Sequence, residues 1–165
     1  ILQSSGVPTV VASTAAIWLP NGKKPNDTHL TSLSPSALQR VLKEGVSQGA
    51  THAVVEASSH GLVQGRINFL WPAVAGFTNV TPESLEYHKT MEQYRKDKGI
   101  LFHKLRGKGT KVLNKNDEAT TLYQQISSKE TKFYGSEGSD MWTTDQQSKP
   151  DSVSAKIHTQ SLIHT

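Results

Sequence analysis

Glu56 closes a short β-rich run, His52 to Ala57, and Ser58, Ser59 and His60 follow directly behind it. Two other apolar runs end in polar residues. Pro72 to Thr78 ends in Thr78-Asn79, and Thr110 to Leu113 ends in Asn114 with Asp117 close behind. In open parallel sheets the ligand sits at the carboxyl ends of the strands. One polar ending says little, because strands must end somewhere and polar caps are usual. Three in one chain point to a ligand site on that edge. Lys98 is the other residue of chemical interest. Met91, Tyr94, Leu101 and Leu105 recur at helical spacing, and Lys98 falls on the same stripe. Two readings stay open for it. A lysine at the border of an apolar face can snorkel to solvent. A partly buried lysine has its pKa lowered by desolvation. Its neutral amine can then react with carbon dioxide to give a carbamate, an oxygen ligand for Mg²⁺.

The elements that must position these residues follow from the pattern. Gly6-Val7-Pro8 reads as a helix stop before a strand, Thr9 to Ser13. Leu19 to Asp27, rich in Pro, Gly, Asn and Lys, reads as a loop. Ser34-Pro35 supplies an N-cap and a proline at the first helical position; Leu38, Val41, Leu42 and Val46 follow at helical spacing, and Gly49 ends that helix. The three apolar runs read as parallel strands buried on both faces. Helices are expected over 83–88, 91–105 and 117–127, and a further strand from Thr131 to Tyr134. From Gly135 to Ser154 the pattern fades, and Val153 to Leu162 reads as β-structure. The alternation implies a layered α/β domain with right-handed crossovers.

At 165 residues the chain has the length of one domain and enough to bury a core. With 35% hydrophobic residues and a mean hydropathy of −0.48 it reads as a soluble globular protein. No apolar run approaches a membrane span, so no membrane insertion is expected. With no cysteine, disulfides and thiolate metal sites are excluded, and a cytoplasmic address fits. The net charge of +4 comes from scattered basic residues, mildly concentrated between Lys89 and Lys115. It fits a solvated face or attraction to an anionic ligand such as a nucleotide. No nucleic-acid motif accompanies it. Val10 to Ala16 lacks a basic segment before it and follows Pro8, which argues against a signal peptide. The chain opens at Ile1 as if inside a helix, which suggests a fragment.

Four blocks then stand in order. Glu56-Ala57-Ser58-Ser59-His60-Gly61-Leu62-Val63-Gln64-Gly65-Arg66 resembles the E-x-S-S-H-x-L-x-x-x-R signature of Mur ligases. Thr78 to His88 resembles their T-N-[LVI]-x-x-D-H-L-[DE]-[YF]-H block, and Thr90 to Phe102 resembles T-M-E-x-Y-x-x-x-K-x-x-L-F. Val112 to Asp117 resembles V-L-N-x-D-D. The chain is most similar to the UDP-N-acetylmuramyl-tripeptide synthetase branch. The resemblance is clear over 1–118 and weak over 119–165. It implies an α/β three-layer sandwich with a mostly parallel sheet, the P-loop-NTPase-like central domain of a Mur ligase, incomplete here.

The resemblance also implies roles. Glu56 is expected to ligate Mg²⁺ on the β- and γ-phosphates of ATP. Lys98 is the expected carbamylated lysine serving a second Mg²⁺, and His60 joins the catalytic set. Ser34, Ser58, Gln64 and Arg66 are expected to hold UDP-N-acetylmuramoyl-dipeptide. Asn79, Asn114 and Asp117 are expected near the nucleotide. ATP is to phosphorylate the terminal carboxylate of the dipeptide, and the amine of an incoming amino acid attacks the acyl phosphate. For any single polar residue in the set, a helix cap or loop hydrogen bond is the competing reading.

Three departures from the pattern matter. The phosphate-cradling G-x-x-G-K-[ST] loop is nowhere in these residues; in the family it precedes the helix whose tail resembles Ile1 to Ser5. The family's D-H pair is Glu83-Ser84 here, so a weak hydroxyl stands where the resemblance puts a histidine ligand; His60 and His88 are candidate substitutes. The T-T-P block is Leu33-Ser34-Pro35. The resemblance also implies an N-terminal domain that grips the uridine and a C-terminal domain that selects the amino acid, and these residues are expected to contain neither. Two other functions therefore compete. One is a folylpolyglutamate-type ligase, disfavoured by the Ser58 to Arg66 run and by Tyr87-His88. The other is a degenerate, non-catalytic domain that binds nucleotide or a partner, which Ser84 favours.

Overall fold

The computed structural model describes residues 1–160. Two compact units divide the chain, Ile1–Leu70 and Trp71–Thr165.

In the first unit a 3-10 turn, Gln3–Ser5, ends at Gly6 and leads into β1, Thr9–Ala12. The hairpin β2 (Ala16–Leu19) and β3 (Gly22–Pro25) follows, then α1 (Pro35–Ser47), β4 (His52–Val55) and α2 (Ser59–Val63). The sheet order is β3-β2-β1-β4, with β1 and β4 parallel and the other neighbours antiparallel. Ser34 caps α1 as its type predicts, accepting from the Ala37 amide at 3.3 Å. Gly49, at φ 86°, stops the helix. Val10, Leu19, Leu33, Leu38, Val41, Leu62 and Ile67 form the buried apolar set of this unit with Ala12, Ala16 and Ile17.

Two expectations change here. The segment from Leu19 to Asp27 is not simply a loop, because it contains β3 and the turn of the hairpin. Asn21-Gly22 between alternating residues is a strong hairpin signal. Val46 lies outside the α1 core and is exposed; Gly45 is buried in its place.

The second unit holds β5 (Val74–Gly76), the short α3 (Leu85–His88), α4 (Met91–His103), β6 (Thr110–Asn114), α5 (Thr120–Gln124), β7 (Glu130–Gly135), β8 (Met141–Lys149) and β9 (Ser152–Thr159). Its strands run β5-β6-β7-β8-β9, parallel except for the β8–β9 pair. The α/β class with parallel-rich sheets is as expected, and the strands form two sheets, one in each unit. Ala75, Val80, Tyr94, Phe102, Leu105, Leu113, Ala119 and Tyr123 make the core. Phe77, Phe102 and Tyr123 meet ring to ring, Phe77 and Tyr123 edge-on at 5.0 Å.

The expectation of strands buried on both faces fails for β4 and β5. Each is an edge strand of its sheet, so Val54 and Val74 are exposed. The helix expected over 117–127 is only α5. Residues 135–154, where the pattern faded, contain β8. The β-structure expected from Val153 to Leu162 is β9 as far as Thr159, and residues 161 and 162 lie outside the described residues.

Candidate functional site

In the first unit the parallel pairing of β1 and β4 sets Thr14 and Glu56 side by side just past the strand ends. The Thr14 amide donates to Glu56 Oε2 at 2.8 Å, and the Thr14 hydroxyl lies 3.2 Å from the same oxygen. Glu56 Oε1 has no hydrogen-bond partner among the described residues, and the side chain is exposed. Behind Glu56 the chain turns into α2, whose N-cap is Ser58, accepting from the Gly61 amide at 3.1 Å.

Ser32 organises this region. It is 1% exposed. Its Oγ accepts from the Ser58 amide at 2.8 Å and lies 3.2 Å from Ser58 Oγ. Its carbonyl accepts from Arg66 Nη1 at 2.7 Å. Arg66 also donates to Gln64 Oε1 from Nε at 3.0 Å and from Nη2 at 2.7 Å. A guanidinium has five N–H donors, so this one is aimed by three bonds and keeps others for a ligand. Ser32 was not singled out from sequence, because a serine among Thr31, Leu33 and Ser34 carries no local signal. The buried Asn26 is a second such residue: it spans Ser13 and Leu30 carbonyls at 2.8 and 2.9 Å and so shapes the loop before Ser32.

Ser34 is the cap of α1, with its Oγ 3.5 Å from Ser36 Oγ. His60 sits half-buried on α2. Thus Glu56, Ser58, Gln64 and Arg66 converge through Ser32, with Ser34 two residues along the same segment.

The second unit gathers Asn79, Asn114 and Asp117. Asn114 Nδ2 donates to the Thr78 carbonyl at 2.8 Å, and the Tyr134 hydroxyl donates to it at 2.8 Å. Asp117 accepts from the Val80 amide at 2.7 Å and the Ala119 amide at 2.8 Å. The β5 and β6 strand ends are therefore tied together around Asn79, which remains exposed. Asp117 acts here as a loop clamp on backbone N–H groups. Its charge, after burial, helps push the Tyr123 phenol above the ordinary tyrosine range, and burial then Asp117 does the same to Tyr134.

Lys98 is half-buried on α4, with Nζ 5.1 Å from the centre of the Tyr94 ring. No hydrogen bond joins it to Asn79, Asn114 or Asp117 among the described residues. Ser84 has a left-handed backbone, φ 55°, at the start of α3, and its side chain makes no capping bond. His88 is buried against Asp97, its Nδ1 2.6 Å from Asp97 Oδ2.

No group of three or more His, Cys, Asp or Glu side chains that could hold a metal occurs among the described residues. Mg²⁺ does not require one. It keeps several waters and takes one or two carboxylates together with substrate phosphates. The uncommitted Oε1 of Glu56 fits that demand. A cleft of about 620 Å³ lined by Gln3, Pro8, Trp18, Asn21, Lys23 and Gln48 lies at the opposite end of β1 from Glu56. No helix among the described residues is long and apolar enough to cross a membrane.

Comparison with known proteins gives one consistent result. The family model described as Mur ligase middle domain matches residues 1–164. A UDP-N-acetylmuramoyl-L-alanyl-D-glutamate–2,6-diaminopimelate ligase of Chlorobaculum tepidum is 37% identical over 117 residues, 71% of this chain and 23% of the relative. The ligase of the same description from Halalkalibacterium halodurans is 35% identical over 141 residues, 83% of this chain and 28% of the relative. The chain thus spans about a quarter of the length of these curated relatives. A solved structure of a 2,6-diaminopimelate ligase of that description superposes with a TM-score of 0.76 at 28% identity, over 96% of this chain and 33% of its own. A MurF ligase from Thermotoga maritima in complex with ADP shares the fold, with a TM-score of 0.63 at 17% identity over 96% of this chain and 33% of its own.

Proposed function

Because the chain belongs to the Mur ligase middle-domain family, we propose that it is the ATP-using part of a ligase that adds the third amino acid to UDP-N-acetylmuramoyl-dipeptide. The relatives' names carry 2,6-diaminopimelate as that amino acid, and we extend it to this chain. A nucleotide-linked substrate and ATP accord with a cytoplasmic location.

One observation carries the reading: the Glu56, Ser58 and Arg66 segments all return to the buried Ser32. A carboxylate, a hydroxyl and a guanidinium held on one buried residue suit an anionic substrate beside a phosphoryl donor. Arg66, aimed by Gln64 and Ser32, orients a carboxylate or phosphate of the muramoyl-dipeptide. Ser58 accepts from the Gly61 amide, which fixes the turn behind Glu56, and its hydroxyl keeps capacity to hold the muramoyl-dipeptide. Glu56 offers Oε1 to Mg²⁺ while Thr14 steadies Oε2. Mg²⁺ bound there supplies neutralisation of phosphoryl charge. Asn79 and Asn114 face the nucleotide from the β5 and β6 ends, with Asp117 holding their loops. His60 completes the set on α2.

In the reaction the substrate carboxylate takes the γ-phosphoryl group of ATP, and ADP leaves. The incoming amine then forms the amide and displaces phosphate. Lys98 takes part as a carbamate: its amine nitrogen bonds to the carbon of carbon dioxide, and one proton leaves to water. The Lys98→Ala variant of the protein as its gene encodes it should lose ligation, and added formate or acetate should restore part of it. Full activity without Lys98 would overturn the carbamate assignment.

Ser84 favours a second reading, a domain that binds nucleotide or a partner without chemistry. ATP binding with no amide formation, in the wild-type protein supplied with both substrates, selects that reading.

A further inference from the structure

α3 is a single turn without a side-chain cap, and such a piece does not hold itself in place. Glu86, Tyr87 and Lys89 around its end are exposed, yet the His88 side chain between them is fully buried. It reaches α4. The carboxylate of Asp97 can only accept, so His88 Nδ1–H donates to it, at 2.6 Å. The other Asp97 oxygen accepts from Gln93 Nε2 at 2.8 Å. The His88 ring lies 4.9 Å from the ring of Tyr94, a residue 3% exposed. Lys98 Nζ lies 5.1 Å from that same ring. A contiguous set therefore runs from Asp97 through His88 and Tyr94 to Lys98.

Packing alone does not explain the pair. Apolar side chains of similar volume would close the α3–α4 contact without desolvating a carboxylate. A hydrogen-bonded pair instead accepts one geometry. Here that geometry fixes the Tyr94 ring, on which a long, rotamer-rich lysine stem otherwise free to swing is seated.

We propose that His88 and Asp97 are positioning residues for Lys98, holding Tyr94 as the platform that presents the Lys98 amine; this rests on the role of Lys98 proposed above. Outer-sphere partners of metal-bound groups typically contribute about 10- to 100-fold in activity or affinity. The test uses the protein as its gene encodes it, with Mg²⁺ and ¹³C-bicarbonate, and reads the lysine carbamate carbon by NMR beside ligation kinetics. His88→Ala is expected to lose most of the carbamate signal and about 10- to 100-fold in kcat, with KM for ATP little changed. His88→Asn, whose amide can stand where Nδ1 stands, is expected to restore part of both. Should His88→Ala fail to fold, Asp97→Asn, which keeps size and weakens the bond, is read in its place and is expected to show the same split. Wild-type carbamate signal and kcat in a folded His88→Ala or Asp97→Asn protein overturns the proposal. Absence of the signal from the wild type itself overturns the role of Lys98, and this inference with it.

Discussion

At the scale of single residues, the first unit depends on a close approach at Gly61. A Cβ built there would lie 2.4 Å from Ser32 Oγ, inside any tolerable contact. Gly61→Ala must therefore push Ser32 away from Ser58 and from the segment that carries Arg66. The expected cost is about 1–3 kcal/mol, read from the urea midpoint. Substrate affinity should fall with it, because Arg66 loses one of its three aims. Arg66→Lys tests that aim directly. A lysine carries the charge but cannot donate to Gln64 and to the Ser32 carbonyl from one planar fork. We expect KM for the muramoyl-dipeptide to rise about tenfold or more while stability stays within about 1 kcal/mol. An unchanged KM would remove Arg66 from the substrate site.

At the scale of elements, α5 is finished by a lysine from a strand. Lys111 on β6 is 1% exposed, and its Nζ donates to the carbonyls of Tyr123, Gln124 and Ile126. Three acceptors call for three donors, which only the ammonium form has. The Tyr123 carbonyl also accepts from the Ile126 amide at 3.2 Å, whereas for the Gln124 and Ile126 carbonyls at and just past the helix end the lysine supplies the partner that the backbone does not. Lys111→Met fills the space but leaves the Gln124 and Ile126 carbonyls bare, so a loss of about 1–3 kcal/mol is expected in thermal or urea unfolding. No sequence pattern announces this contact, since a lysine between Thr110 and Val112 reads as a solvent-facing strand residue. Other elements were legible. Ser34-Pro35 marks the start of α1, Gly49 its end, and the apolar run after Ala50 gives β4. The hairpin β2–β3 carries its mark in Asn21-Gly22, within a segment whose prolines and lysines read as a loop. β8 was not legible. Met141 to Lys149 is mostly exposed and polar, and its ladder with β9 shifts register between Thr144 and Gln147, so no alternation survives in the chain. At the site, the motif residues could be named from their spacing, whereas Ser32, Thr14 and Asn26 could not, because their contacts join distant segments.

At the scale of the whole molecule, pH dependence follows from the buried titratable groups. Burial raises the phenols of Tyr123 and Tyr134 above the ordinary range, with Asp117 adding to both. A raised tyrosine keeps its proton in the folded protein while the unfolded chain sheds it. The stability involved is fully present below about pH 10 and is lost as pH climbs above it, at up to about 1.4 kcal/mol per pH unit for each group. Burial moves Lys111 the other way, below the ordinary lysine range. Between its folded and unfolded pKa values the unfolded chain binds more protons, so this residue makes stability rise with pH there. Urea midpoints should therefore hold or rise slightly up to about pH 10 and drop beyond it. A midpoint that rises steadily past that point would show the phenols are not buried in solution. Position 84 draws a different consequence from geometry. Its φ of 55° belongs to a region that histidine enters more readily than most side chains. Ser84→His should thus be accommodated without rebuilding α3, and isothermal titration with Mg²⁺ or Mn²⁺ should show tighter binding than in the parent. Because the backbone at position 84 is already set in that region, one substitution can place a metal-binding ring there without a second change to the chain.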